Sequence, residues 1–355
     1  MATGQKVETA VGAHLVGGLK APDAETAMRT AAGILGRHLH AVTDGETGER
    51  DQWIGWQVGK LTSVDGIEVV GTKDTTAPDN EEYSGFPALA VDSSVTELPA
   101  GSLGYTNAAK SSYPIFTRLR EEGALPGGVK FQVSVPTAYA SVIAWIREED
   151  QERFFGVYES AIAEEVEEIA RAVDHGDLVI QYDVAVEIGV LSGAFAAAGE
   201  LGEQSFIADA LRRALATPEA DDVERGLHLC YGDYRHRHFS VPSDLTLCVE
   251  LANAAGERAD FVHMPADRNS GRDASYYEPL RDLKASRLAL GVIDYEGDEQ
   301  RTRELVQAAA DGSGGRQFAV ATECGMARID ERHGADSPSL ERLLELHALC
   351  AAPIR

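Results

Sequence analysis

"QERFFGVYESAIAEEVEEIARAVDHGDLVIQYD" (residues 151–183) reads as one helix followed after a three-residue turn by one strand. Phe154, Val157, Tyr158, Ala161 and Ile162 keep the i, i+3, i+4 stripe, and the acids fall on the opposite side, as in an amphipathic helix. The run at 177–183 is short, apolar and β-rich. Seven more runs of that kind occur, at 11–17, 40–44, 129–135, 226–232, 260–264, 288–294 and 317–322. Helical patterns lie between most of them, at 23–39, 205–216, 243–256, 278–286 and 299–311, with a last one at 338–352. Strands alternating with helices imply a parallel sheet. Eight such strands in a chain somewhat above the usual ~250 residues predict a single-domain (β/α)8 barrel over 1–355, an α/β fold. A doubly wound open sheet is the competing architecture. Residues 62–128 read as an insertion, rich in Gly, Pro, Ser, Thr and Asp with a weak apolar pattern. Loops of that length are usually functional, for instance as a lid.

Bulk composition narrows the class. The chain has 355 residues, 44% hydrophobic and 25% charged, as in globular proteins. Its formal charge of −26 argues against a general electrostatic surface for nucleic acid or anionic membrane. No run reaches the roughly 18 apolar residues of a membrane span, and the first residues lack a signal-peptide pattern. Four cysteines in a chain this long make no disulfide scaffold. The expected location is therefore the cytoplasm, where thiols are free to bind metal.

A barrel carries its chemistry at the C-terminal ends of its strands. Those ends hold Asp44 and Glu46, Asp183 and Glu187, His263 and Asp267, Asp294 and Glu296, and Glu323 and Cys324. The fifth strand ends in "GLHLCYG" (226–232), which sets His228 and Cys230 two residues apart and so on one face of the strand. An imidazole and a thiolate side by side begin a zinc site, although spacing alone also suits a packed core pair. Behind them, His236 and His238 sit among Arg235 and Arg237, a cationic loop suited to an anionic substrate or acidic neighbours. Trp53 and Trp56 suit either one helix face or a pocket wall, and Cys248 and Cys350 read as packing thiols. "SVPTAYAS" (134–141) lacks a glycine-rich run, so it carries no nucleotide role.

Taken in order, these motifs resemble the catalytic barrel of the cobalamin-independent methionine synthase family. The His-x-Cys strand end is His228 and Cys230, and the late Cys-Gly pair is Cys324–Gly325. "LVGGL" (15–19), "DGE" (44–46), "QYD" (181–183) and "GVID" (291–294) match further strand ends, each match being short. The resemblance implies Zn²⁺ on His228, Cys230 and Cys324 with a position left for a substrate thiol. It also implies that Glu46 and Asp183 grip the substrate amine. Three positions depart from the pattern. The family's zinc-binding Glu falls on Pro265, which leaves His263 as a candidate fourth ligand. The family's substrate-contacting Ser falls on Gly18, and its proton-transferring His falls on Glu296, so Glu296 or Asp294 becomes the expected proton carrier.

The implied activity is transfer of a methyl or other alkyl group to a small-molecule thiol. The donor could be a small molecule, an opened epoxide, a folate or a corrinoid protein. A zinc-assisted lyase or hydrolase and a non-catalytic zinc scaffold are the alternatives.

Overall fold

The computed structural model describes residues 7–73, 85–235, 237–331 and 333–354. Ten strands are present among them: β1 (Ala10–Ala13), β2 (Ala41–Thr43), β3 (Ile67–Lys73), β4 (Phe86–Val91) and β5 (Lys130–Pro136). Then come β6 (Leu178–Val184), β7 (Glu224–Leu229), β8 (Phe261–Pro265), β9 (Arg287–Ile293) and β10 (Phe318–Thr322). Eight of them form one parallel sheet in the order β1-β10-β9-β8-β7-β6-β5-β2. A single parallel bridge, Ala13 to Leu39, links the first strand to the segment entering the second. The curled sheet with helices outside is a (β/α)8 barrel, as the alternation implies.

Each of the eight expected runs overlaps a strand of the barrel. The cores of these strands are buried on both faces, all seven residues in β6, because helices cover the outside and the opposite wall covers the inside. β1 is the shortest relative to expectation. Beyond it the chain trades ladder bonds for side-chain donors: Gln132 Nε2 donates to the Leu15 carbonyl (2.9 Å) and Ser134 Oγ to that of Val16 (3.2 Å). The upper interior is consequently polar, with Gln132, Ser134, Gln181, Asp183, His228 and His263 all buried. A barrel filled only with branched apolar layers would leave no site at this depth.

The 62–128 region is not a long structureless loop. It contains the antiparallel hairpin β3–β4 and a 17-residue helix, Tyr105–Glu121. That helix buries Phe116 and Leu119 against the barrel, and Ser112 Oγ donates to Asp44 (2.7 Å). Its apolar pattern is diluted by polar residues and interrupted by Pro114. At 278–286 an extended 3-10 stretch, Ala274–Asp282, replaces the expected α-helix, with Pro279 inside it. Among the described residues no helix is long and apolar enough to cross a membrane.

Candidate metal centre and the cavity above it

His228 is the last residue but one of β7 and Cys230 the first beyond it, while Cys324 lies two residues past β10. One donor atom from each lies within 4.8 Å of the other two, the one such group among the described residues. Donors around a tetrahedral zinc stand roughly 3.5–3.8 Å apart, so closing the site needs shifts of about 1 Å. Two sulfurs and one imidazole fit zinc by ligand softness. The pair of thiols is already unequal. Cys230 is held well below the ordinary thiol range by the hydrogen bond from Cys324, against burial, with His228 adding to the effect. Cys324 moves up correspondingly, through that same bond and burial. Cys230 is thus the thiol of the pair that ionises more readily, and it lies beside the His228 ring.

His263, the candidate fourth ligand, stands outside this group of three. Its Nε2 donates to the Thr322 carbonyl (3.1 Å), which leaves Nδ1 to accept from Nδ1 of His228 (2.7 Å). Both ring nitrogens are engaged, and burial holds the ring neutral. This arrangement directs the other nitrogen of His228, Nε2, away from His263, as a metal-binding histidine requires of its outer partner. Thr322 Oγ1 and the Tyr295 hydroxyl both donate to the Cys324 carbonyl (2.7 Å each) and so fix the strand end that carries the second sulfur.

The three donors lie in the wall of a cavity of about 880 Å³. Glu46, Gly18 and Asp183 line the same space. Asp183 accepts from Gln181 Nε2 (2.9 Å) and from the Trp53 indole (3.1 Å). Glu46 has a left-handed backbone, φ 48°, an unusual conformation for a residue with a Cβ. An Asp44 side chain that accepts from the Glu46 amide (3.0 Å) supports it. Its carboxylate lies over Gly17, where an added Cβ would come within 2.5 Å of Oε1. Gly18 is required for a different reason. A Cβ there would lie 2.8 Å from that of Ala327, and its carbonyl accepts from the Met326 amide (2.6 Å).

Enclosure at the cavity wall raises Glu46 to about 8, with Asp183 next to it contributing. Burial also raises Asp183 to about 6, against the pull of His228. Two carboxyls that resist ionisation beside one another favour a cationic group between them.

The expected proton carriers are elsewhere. Asp294 accepts from Arg268 Nε (2.6 Å) and from the Asp298 amide (3.3 Å), so it organises the turn into the following helix. Glu296 pairs with His333 (2.8 Å) and Arg268 (3.4 Å). Neither lines the cavity. Glu187 is buried against Thr137, outside the cavity lining. His238 meets Glu323 (3.0 Å) and faces Asp267 (3.7 Å), acidic neighbours as its setting implies. His236 lies outside the described residues. Cys248 and Cys350 are buried. Trp53 and Trp56 are pocket wall.

Among the lining residues that the sequence reading missed are Asp233, just past His-x-Cys, and Arg328, four residues past Cys324. They face each other at 3.7 Å. Ionisable side chains close behind a ligand-bearing strand end were the available clue.

This architecture is similar to that of a B12-independent methionine synthase from Shewanella sp. W3-18-1, solved in complex with selenomethionine. The two share 14% identity at a TM-score of 0.56, over 97% of this chain and 96% of that one. A methyltransferase from Methanosarcina mazei is similar at 15% identity and a TM-score of 0.54, over 98% and 95%. At such identities the likeness is one of fold. No protein-family model and no curated protein matches the chain.

Proposed function

We propose that this barrel is a zinc-dependent transferase that moves a methyl or other alkyl group onto a thiol. The observation that carries the reading is the meeting of His228, Cys230 and Cys324 in the wall of a cavity that Glu46 and Asp183 also line. Zinc held by those three donors supplies a Lewis acid that keeps an acceptor thiol ionised near neutral pH. The protein's own residues do the rest. Asp183, fixed by Gln181 and Trp53, and Glu46, fixed by its turn, bind an ammonium on the acceptor and orient its sulfur. The transfer forms one sulfur–carbon bond and breaks the bond between that carbon and its leaving atom. The acceptor's proton is released as its sulfur binds, and the leaving group takes up one proton in return, with Glu46 the lining carboxyl raised far enough to pass one on. The two neighbouring folds, a methionine synthase and a methyltransferase, support a transferase reading. We place the reaction in the cytoplasm.

Thiol binding tests this. Cysteamine added to the zinc-loaded protein should release a proton and bind about tenfold or more tightly than 1-propanethiol, which lacks the ammonium. Cys324→Ser should abolish the proton release. Equal binding of the two thiols without proton release would reject the reading in favour of a hydrolytic or purely structural metal.

A further inference from the structure

The cavity is far larger than a metal and a small amino-thiol need, and aromatic side chains supply much of its remaining wall. Trp53, Trp56, Phe86, Trp145, Phe195 and Phe239 line it. They come from five separate parts of the chain, including the hairpin and the segments after β6 and β7. Edge-on contacts lock several of them: Phe195 with Phe239 at 4.9 Å, and Phe86 with Tyr234 at 5.3 Å and Trp145 at 5.9 Å.

Polar groups on this side are committed to the protein itself. Lys73 Nζ donates to the carbonyls of Ile143 (2.6 Å) and Ile146 (2.8 Å). Gln151 Nε2 donates to the Ile146 carbonyl (3.0 Å), and its Oε1 accepts from the Ala198 amide (3.0 Å). Arg147 Nε is bound to Asp150 (2.6 Å). The ionisable lining is one-sided, with six acidic side chains (Glu46, which burial holds against ionisation, and Glu49, Asp51, Glu148, Asp183 and Asp233) against Lys73, Arg147 and Arg328.

We infer that the cavity holds a second substrate of uncharged, largely apolar character, with a ring system or branched alkyl body packed on the aromatic wall, and that it rejects polyanions. A volume of about 880 Å³ falls in the range of sites that enclose drug-sized ligands through apolar contact and a few fixed polar groups. A polyglutamyl folate would bring several carboxylates into a wall that already carries an excess of them. An apolar alkyl donor meets no such penalty. The inference rests on the transferase reading only in calling the occupant a substrate.

N-phenyl-1-naphthylamine and its sulfonated counterpart 8-anilino-1-naphthalenesulfonate share one ring skeleton and differ by one negative charge. All three tryptophans of the chain line the cavity, so energy transfer from tryptophan to either probe reports its occupancy. The neutral probe should bind one per chain, and the sulfonate about tenfold or more weakly. Phe86→Ala and Phe195→Ala, each checked for folding by its circular dichroism melt, should weaken the neutral probe about tenfold. Stripping zinc with a chelator should leave it bound, so the result does not depend on zinc or thiol chemistry. Absence of neutral-probe binding, equal or tighter binding of the sulfonate, or indifference to both phenylalanine substitutions in folded protein would overturn the inference.

Discussion

The two ends of the barrel both carry clusters of ionisable groups, half-buried at one end and buried at the other, and use them oppositely. At the N-terminal end, Glu224 of β7 accepts from His40 (2.9 Å) and meets the Arg287 guanidinium and Lys130 (3.5 Å). Arg287 and His40 are also 2.9 Å apart, so the cluster closes on itself. At the C-terminal end, the same strand β7 delivers His228 and Cys230 to a cavity wall whose donors converge on open space. Charge matched within the protein contributes to stability. Charge and lone pairs aimed at a cavity shift proton affinities and await a ligand.

Four sets of substitutions separate the two ends. The largest effect belongs to the ligands: Cys230→Ser or Cys324→Ser should lose zinc retention after dialysis, measured by metal analysis, while the N-terminal cluster keeps the fold. His263→Phe should lower zinc affinity about 10–100-fold in a chelator competition, because His228 loses its orienting partner.

Glu224→Gln should leave zinc affinity unchanged and cost about 1–3 kcal/mol of stability in urea unfolding. His40 and Arg287 oppose burial and hold Glu224 at about 2, below its ordinary 4.5. A depressed carboxyl contributes stability above its unfolded value and loses it as pH falls through the folded one. The wild-type protein should therefore lose stability between pH 4.5 and 2, and Glu224→Gln should flatten that limb. The smallest effect is Glu296→Gln, which should change thiol proton release by less than about twofold, since its partners Arg268 and His333 lie outside the cavity.

Much of this was legible in the sequence, for identifiable reasons. The stripe of 151–173 survives as the helix Glu148–Ala172, and 299–311 as Glu299–Gly312, because each buries one face only. Ala138–Trp145 escaped notice since seven of its eight residues are buried and no polar side marks a period. Spacing placed His228 and Cys230 on one face, since a strand has a strict period of two. What spacing cannot give is the direction in which a rim loop turns. Asp294 and Glu296 end a barrel strand as Asp183 does, yet an arginine and a turn draw them outward. Tyr295 between them reaches the Cys324 carbonyl instead. The aromatic wall was equally hidden, being gathered from distant loops that no local pattern connects.

The zinc K-edge spectrum of the loaded protein, taken before and after addition of cysteamine, addresses the metal centre directly. It should fit two sulfur ligands and a nitrogen before addition, and three sulfurs afterwards. A first shell without sulfur, or one unchanged by the thiol, would contradict the account.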